Sequence, residues 1–214
     1  MKRIYIVRHG QSEGNAGLFR QSHETPLTET GKSQAVAVAE RCARLPVEVI
    51  VSSTMHRAKE TAHLIAEKLG KNITESELFV ERRRPTEVRG KSKTDPEVMR
   101  IEAEVRERFG EDNWYFSDEE NFADIKERAL HALAYLEARE EENILVVTHG
   151  IFSTVLAACV VFGEELTGQE CRSFIDALYL ENTGLTVFEY GNERFLHKKQ
   201  PWGIWTWNDH SHLG

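Results

Sequence analysis

The sequence predicts an α/β fold: a three-layer α/β/α sandwich with a mostly parallel central sheet, an antiparallel edge hairpin and a helical lid insertion. Short apolar runs alternate with longer segments whose apolar residues recur at helical spacing, which is typical of a parallel sheet flanked by helices. Near the C-terminus, two alternating segments flank Gly191-Asn192, a pair that favours a hairpin turn. A chain of 214 residues fits one domain. We therefore expect residues 1–214 to form a single domain with a lid at about 85–118.

The first half of the chain predicts three strands separated by two helices. Thr28 is suited to cap the first helix, because a threonine hydroxyl can accept a hydrogen bond from the first helical turn. Ser52 and Ser53 supply a cap for the second helix, and Gly70 ends it. The predicted elements are a strand over 3–7, a loop over 10–26, a helix over 28–44, a strand over 47–51, a helix over 52–69 and a strand over 72–76.

The second half resumes the alternation after the charged insertion at 85–118. The C-terminal segment over 201–214 holds three of the four tryptophans and is the least predictable part of the chain. The predicted elements are a lid helix over 96–109, a helix over 119–138, a strand over 144–147, a helix over 152–161, and two hairpin strands over 184–190 and 194–198.

Composition excludes several classes of protein. A net charge of −8 and a pI near 5.6 argue against a broad nucleic-acid or anionic-membrane surface. No apolar stretch approaches membrane-spanning length, and no signal peptide opens the chain. Cys42, Cys159 and Cys171 are widely spaced, so neither a disulfide framework nor a zinc knuckle is indicated. We expect a cytoplasmic enzyme without nucleic-acid or membrane partners.

Two predicted strands end in histidine followed by glycine. His9-Gly10 follows the first apolar run, and His149-Gly150 follows the run at 144–147. Ligands in parallel sheets bind at the carboxyl ends of the strands. The two imidazoles are therefore expected to lie in one pocket, although they are far apart in sequence.

The side chains around these histidines favour a phosphate ligand. Arg8 offers a planar fork suited to phosphate, and Arg57 lies in the first turn of a predicted helix, where anions bind. Asn15 can donate an amide hydrogen bond. A neutral His9 can attack phosphorus and form a phosphoramidate. Because neighbouring cations repel a divalent ion, this mixture of residues favours phosphate over a metal, and we expect no cofactor.

Three motifs, in this order and at these strand ends, resemble those of the histidine phosphatase superfamily, the phosphoglycerate mutase-like clan. The resemblance covers residues 4 to about 162. The motifs are Arg8-His9-Gly10, Ser53-x-x-x-Arg57-Ala58-x-x-Thr61-Ala62 and Thr148-His149-Gly150.

The resemblance implies roles for single residues. His9 would be phosphorylated during turnover, and the cationic side chains around it would stabilise the charge of the transferring phosphoryl group. The residues implied to bind the phosphate are Arg8, Ser12, Asn15, Arg57 and His149.

The resemblance also implies an acidic residue that protonates the leaving oxygen and then deprotonates water. Similar enzymes carry it in a Leu-x-Glu context. The match here is Leu78-Phe79-Val80-Glu81, which makes Glu81 the first candidate for this residue, although the stretch is one residue longer than the family pattern. Glu87 is the competing candidate.

Phosphatases and cofactor-dependent mutases of this clan differ in sequence. Mutases carry Trp-Asn after the glutamate of the first motif, where this chain has Gly14-Asn15, and a Glu-Arg-His-Tyr-Gly stretch, where this chain has Glu81 followed by three arginines at 82–84. A phosphatase acting on a small phosphate monoester is therefore the first hypothesis. A phosphoglycerate mutase-type isomerase, a non-catalytic phospho-ligand-binding protein and a metal-dependent hydrolase are the alternatives. The substrate and the oligomeric state stay open.

Two further segments bear on the site. The arginine run at 82–84 is typical of a solvated charge cluster, and at the mouth of a phosphate pocket it could also attract anions. The ending at 208–213 is similar to an Asn-Asp-x-x-His-Leu ending of some members of the clan. His23 is expected at the surface, where it could contact substrate.

Overall fold

Six strands form one sheet within residues 1–111, 113–195 and 201–214, which the computed structural model describes. The strands are β1 (Lys2–Arg8), β2 (Val49–Ser52), β3 (Ile73–Glu75), β4 (Asn143–Thr148), β5 (Leu185–Tyr190) and β6 (Trp202–Asp209). Their order in the sheet is β3-β2-β4-β1-β5-β6.

The sheet is parallel on one side and antiparallel on the other. Strands β3, β2, β4 and β1 run parallel, whereas β5 pairs antiparallel with β1 and β6 pairs antiparallel with β5. The parallel pairs place the carboxyl ends of β1, β2 and β4 along one edge. The predicted mostly parallel sheet with an antiparallel edge is therefore confirmed.

Helices cover both faces of the sheet. The helices of the described residues are α1 (Glu13–Ala16), α2 (Glu29–Cys42), α3 (His56–Leu69), α4 (Pro96–Glu107), α5 (Phe122–Ala138), α6 (Gly150–Phe162) and α7 (Gly168–Ala177). Helices α2 and α3 pack on one face through a cluster that includes Val38, Ile65 and Val147. Helices α5, α6 and α7 contribute to the cluster on the other face, which completes three layers.

The core under α3 makes a direct stability prediction. Ile65 is fully buried between α3 and the sheet, so Ile65→Ala removes buried methyl groups and leaves a cavity. We expect it to lower the free energy of unfolding by about 2–5 kcal/mol. Urea denaturation measures the loss. Glu67→Ala on the exposed side of the same helix is the control, with an expected change within about 0.5 kcal/mol; equal losses in both variants would contradict this packing.

The predicted lid segment has a small apolar cluster of its own. Val98, Ile101 and Val105 of α4 pack with Val88, and Trp114 and Phe116 lie against them. One residue of the segment, 112, lies outside the described residues. That this segment acts as a lid stays a prediction.

The predicted hairpin strand over 194–198 is wrong where the structure describes it. Residues Glu193–Phe195 form a turn of 3-10 helix, and 196–200 lie outside the described residues. The antiparallel partner of β5 is instead β6, in the tryptophan-rich segment. Trp202 is buried against the ring of Tyr190, with ring centroids 4.9 Å apart, and this apolar burial favours β6 over the charged segment before it.

Helix α7 was not predicted, although the sequence carries its start signal. Thr167 caps the helix in a capping box with Glu170, which accepts hydrogen bonds from the Thr167 amide at 2.9 Å and hydroxyl at 2.7 Å. The helix buries Cys171 against the core. Its C-terminal end forms one wall of the site described next.

Candidate active site

The two histidines meet where β1 and β4 end. The register pairs Arg8 with Thr148, so His9 and His149 leave neighbouring strands at the same level. Their ring centroids lie 5.0 Å apart, and their relative exposures are 2 % and 0 %. The expected meeting of the two imidazoles at the carboxyl edge of the sheet is therefore found.

A cavity of about 700 Å³ opens at this edge. Nine arginine or lysine side chains and three glutamates are among the described residues that line it, whereas the whole chain carries a net charge of −8. The cavity is therefore an anion-attracting region on an acidic protein. Five of the predicted site residues line it: Arg8, His9, Asn15, Arg57 and Glu81.

The hydrogen bonds of His9 fix the tautomer of its ring. Its Nδ1 donates to the Gly10 carbonyl at 2.7 Å, so the lone pair lies on Nε2. That nitrogen accepts a hydrogen bond from Arg57 Nε at 3.1 Å. The Gly10 amide donates to Thr61 Oγ1 at 3.1 Å, which ties the His9-Gly10 turn to α3. His9 is thus held with a neutral, nucleophilic nitrogen beside a guanidinium.

Gly10 itself is required by packing. A Cβ built at this position would lie 2.4 Å from the Gly31 carbonyl oxygen at the start of α2. Only glycine lets the turn after His9 approach α2 this closely.

Burial and positive charge keep both histidines neutral. Burial, then Arg57 and then Arg8 lower the pKa of His9 well below 6.5. Burial, Arg57 and His9 likewise lower the pKa of His149. Burial lowers the pKa of Arg57 to about 10, so this side chain stays charged at neutral pH. A neutral imidazole next to a charged guanidinium suits attack on a phosphate anion.

We expect His9 and His149 to stay neutral at pH 5.5, where an imidazole of pKa 6.5 is about nine-tenths protonated. An NMR titration of ¹⁵N-labelled histidine rings measures this, and His9→Ala assigns the resonance. Between the native pKa values and 6.5 the unfolded chain binds more protons, so the stability contribution of these rings decreases as the pH falls below 6.5. Protonation of the His9 ring at its ordinary pKa would contradict the burial of His9 beside Arg57 and Arg8.

His149 lies behind the cavity wall. Its Nε2 is 2.8 Å from Ser53 Oγ, and its Nδ1 has no hydrogen-bond partner among the described residues. The predicted cap by Ser52 and Ser53 is wrong, because Met55 occupies the N-cap of α3 without a side-chain cap bond. Ser53 Oγ contacts His149 and accepts from the Met55 amide at 3.2 Å.

The first motif continues into α1, within the predicted loop. Ser12 caps α1 in a capping box with Asn15. Asn15 Oδ1 accepts from the Ser12 amide and hydroxyl and from Asn182 Nδ2, at 3.2, 3.0 and 3.3 Å. Asn15 lines the cavity, whereas Ser12 is fully buried and does not line it. The geometry therefore does not support direct phosphate contact by Ser12. Ser12 instead positions Asn15 through their hydrogen bonds.

Only one of the two candidate carboxylates lies in the cavity. The Glu81 carboxylate accepts from the amides of Ile151 at 3.2 Å and Phe152 at 3.0 Å, in the first turn of α6, where a carboxylate is favoured. Glu87 accepts from Ser117 Oγ at 2.7 Å and does not line the cavity. The structure therefore brings Glu81, and not Glu87, to His9 and Arg57.

Arg8 is anchored from the segment after α7. Its Nη1 donates to the Leu180 carbonyl, and its guanidinium lies 5.9 Å from the Tyr179 ring centroid. Its Nε is buried without a hydrogen-bond partner among the described residues. His23 is exposed, as the sequence predicts, and lines the same cavity.

Asn182 is a residue at the site that the sequence did not reveal. Its Nδ2 donates to the His9 carbonyl at 2.9 Å as well as to Asn15. It precedes Thr183, which has a positive φ of 61° and whose amide donates to the Arg8 carbonyl at 3.0 Å. No local sequence signal marks it, because the contact depends on how β5 approaches β1.

Neither a metal cluster nor a membrane span is present in the described part of the chain. No three His, Cys, Asp or Glu side chains there are grouped to hold a metal ion. None of the helices there is both long enough and apolar enough to cross a membrane.

Comparison with known proteins agrees with the three motifs. The family model of the histidine phosphatase superfamily (branch 1) matches residues 4–201. A probable phosphoglycerate mutase GpmB of Salmonella arizonae is 30% identical over 218 residues, covering 100% of this chain and 95% of that protein.

Solved structures share the fold. A mycobacterial glucosyl-3-phosphoglycerate phosphatase in complex with VO3 has a TM-score of 0.76 at 24% identity, with 97% of this chain and 99% of that chain covered. A phosphoserine phosphatase mutant of Entamoeba histolytica in complex with phosphoserine has a TM-score of 0.77 at 23% identity, with both chains covered completely. From the matched family model and the motifs that meet at this sheet edge, the chain belongs to the histidine phosphatase superfamily.

Proposed function

We propose that this protein is a phosphomonoesterase that hydrolyses a small phosphorylated metabolite through a phosphohistidine on His9. The observation that carries the proposal is the lone pair of His9 Nε2, which faces Arg57 in a cationic cavity that Glu81 also lines. The proposed nucleophile His9, the charge-stabilising Arg57 and the proton-transferring carboxylate of Glu81 thus line the same cavity.

The first step transfers the phosphoryl group to the enzyme. His9 Nε2 attacks phosphorus, the bond from phosphorus to the ester oxygen breaks, and protonated Glu81 gives its proton to the leaving oxygen. Arg57 is within reach of the phosphoryl oxygens because it already contacts the attacking nitrogen. The buried Arg8 Nε donates to a phosphate oxygen, and both cations stabilise the transition-state charge.

The second step returns the enzyme to its resting state. Water attacks phosphorus, Glu81 accepts a proton from that water, and the bond between phosphorus and Nε2 breaks to release inorganic phosphate. Asn15 donates to the phosphate, and its oxygen is held by Ser12 and Asn182. His149 stays neutral and borders the phosphate from behind. The proposal includes that both steps proceed without a metal ion. It also includes that the protein acts in the cytoplasm.

A mutase is the second candidate, and the name of the Salmonella relative favours it. A mutase returns the phosphoryl group to another hydroxyl of the same substrate, whereas a phosphatase passes it to water. The glycine at position 14 and the arginines that follow Glu81 replace the mutase-type residues and favour the phosphatase.

Phosphate release from a panel of phosphate monoesters in the presence of a chelator tests the proposal, with ³¹P NMR following phosphoglycerate interconversion in parallel. Phosphate release that persists with the chelator and exceeds interconversion is expected. Faster interconversion would make the protein a mutase. Loss of activity on chelation would make it metal-dependent, and binding without turnover would make it a phospho-ligand-binding protein.

A further inference from the structure

The backbone that carries Glu81 depends on side chains of other elements for its position. Residues 78–83, which we call the acid segment, begin in the 3-10 turn Glu77–Phe79 and continue as a loop. Backbone groups in a loop need hydrogen-bond partners outside the regular elements. The Glu81 carboxylate accepts from the amides of Ile151 and Phe152, so its contact with α6 requires the acid segment to be held in place.

Arg128 of α5 binds the acid segment on the N-terminal side of Glu81. Its Nη1 donates to the carbonyl of Leu78 at 3.0 Å and to that of Val80 at 2.9 Å. Its guanidinium lies over the ring of Phe152, 4.2 Å from the ring centroid. The Phe152 amide is one of the two that donate to the Glu81 carboxylate. Arg128 thus connects the acid segment to the first turn of α6.

Glu120 binds both Arg128 and the other side of the acid segment. Its Oε1 accepts from Arg128 Nε at 2.7 Å and its Oε2 from Arg128 Nη2 at 2.8 Å, the paired geometry that gives strong ion pairs. Its Oε2 also accepts from the Arg83 amide at 2.8 Å, and the Glu120 amide donates to the Arg83 carbonyl at 3.1 Å. The ion pair therefore holds the backbone on both sides of Glu81.

The ion pair is largely buried and stays charged. The side chains of Arg128 and Glu120 are 14% and 9% exposed. Burial acts to raise the pKa of Glu120, but the hydrogen bond and charge of Arg128 and the Arg83 amide bring this pKa below its ordinary value. Because a buried charge without its partner is unfavourable, neither side chain is free to turn away from the acid segment.

The hydrogen bonds of Arg128 are directed at this segment rather than at a ligand. Arg128 borders the cavity, but a guanidinium has five N–H donors. Its bonds to Glu120 and to the two carbonyls of the acid segment engage four of them. Arg57, by contrast, directs its Nε to the His9 nitrogen that attacks phosphorus in the proposed mechanism.

We propose that Arg128 and Glu120 are positioning residues, whose ion pair keeps the Glu81 carboxylate where it can exchange protons with the leaving oxygen and with water. The inference rests on the proposed function and goes beyond it by assigning two residues that act through Glu81. Loss of the ion pair should impair proton transfer and leave the attack by His9 intact. Misplacement of a reacting group by 1 Å costs on the order of 10²-fold in rate.

Conservative variants test the inference without leaving a buried charge unpaired. Arg128→Lys keeps the charge but replaces the planar fork with one ammonium group, and Glu120→Asp shortens the carboxylate. Each is expected to lower kcat for an alkyl phosphate that the wild type hydrolyses by about 10- to 100-fold. In single turnovers with enzyme in excess, release of nitrophenolate from p-nitrophenyl phosphate should keep the wild-type rate, because this leaving group needs no proton.

A double-mutant cycle with Glu81→Gln shows whether the effect passes through Glu81. Arg128→Lys should slow the wild type but change kcat of the Glu81→Gln protein by less than about twofold, because proton transfer is already lost there. Arg139→Lys is the matched control. Arg139 follows α5 and forms paired bonds with Glu141, but it does not line the cavity, so wild-type kinetics are expected.

Hydrogen exchange at the amides of Ile151 and Phe152 reports on the position of Glu81 without turnover. Both amides lie in the first turn of α6, where the helix itself offers no acceptor. Arg128→Lys and Glu120→Asp are expected to speed their exchange by about tenfold or more, as is typical of losing a hydrogen bond to a charged group. Arg139→Lys should leave it unchanged, and circular dichroism confirms that each variant is folded.

Wild-type kcat in folded Arg128→Lys or Glu120→Asp would overturn the inference. So would a single-turnover rate lowered as much as kcat, which would place Arg128 on the phosphoryl group, or equal losses with and without Glu81, which would make the ion pair purely structural. Where no ester is hydrolysed, or Glu81→Gln keeps the wild-type rate, the proposed function fails. The exchange rates then decide by themselves whether the ion pair positions Glu81.

Discussion

Replacing His9 by alanine is expected to abolish turnover of phosphate monoesters, with kcat lowered by about 10⁴-fold or more, as for other covalent nucleophiles. The reason is that Nε2 is the nitrogen left free to attack once Nδ1 donates to the Gly10 carbonyl. Initial rates of phosphate release measure the loss. His9→Ala should still bind inorganic phosphate, because Arg8 and Arg57 are unchanged.

The matched control is His63→Ala. His63 is exposed on α3 and bonds to a backbone carbonyl of its own helix, so this change should leave kcat near the wild-type value. A folded His9→Ala protein that keeps the wild-type rate would show that His9 is not the nucleophile.

Glu81→Gln is expected to lower kcat for alkyl phosphates by about 10²- to 10⁴-fold, the usual contribution of a positioned acid or base. Glutamine is nearly isosteric, but its single oxygen can accept from only one of the amides of Ile151 and Phe152, which donate to the two different oxygens of Glu81. Circular dichroism therefore accompanies the kinetics, and a folded variant with the reduced rate shows a loss of proton transfer rather than of structure.

The leaving group separates the two tasks of Glu81. Nitrophenolate leaves without a proton, so Glu81→Gln should give a rapid burst of about one nitrophenolate per enzyme from p-nitrophenyl phosphate, followed by slow hydrolysis of the phosphoenzyme. Glu87→Gln is the control and should behave like the wild type. Loss of activity in Glu87→Gln with normal kinetics in Glu81→Gln would reverse the assignment.

The sequence was sufficient to predict which residues meet at the sheet edge. Parallel strands end side by side, so the motifs containing His9 and His149 had to converge once the strands were assigned. Arg57 follows β2 at the start of α3 and reaches the same edge for the same reason. These contacts depend on the alternation of strands and helices, which the periodicity of apolar residues predicts, and on the rule that parallel strands place their carboxyl ends at the same edge of the sheet.

Other contacts depend on tertiary structure that no local pattern encodes. Between β3 and α4 the chain has only two short 3-10 turns, Glu77–Phe79 and Thr86–Val88, so spacing alone did not decide between Glu81 and Glu87. Asn182 reaches His9 only because β5 pairs antiparallel with β1. The strand that pairs with β5 was misplaced because alternation in the segment over 194–198 resembled a strand, whereas burial of Trp202 decides the pairing.

The central claim is a covalent phosphoryl group on His9, and trapping it is the most direct test. The protein is mixed with a phosphate monoester, quenched in alkali, in which phosphohistidine is stable, and its peptides are sequenced by mass spectrometry. The expected result is one phosphoryl group on the peptide that contains His9, labile in acid and absent from His9→Ala. Hydrolysis at the wild-type rate with no phosphoryl group on this peptide, or with the group on another residue, would contradict the mechanism.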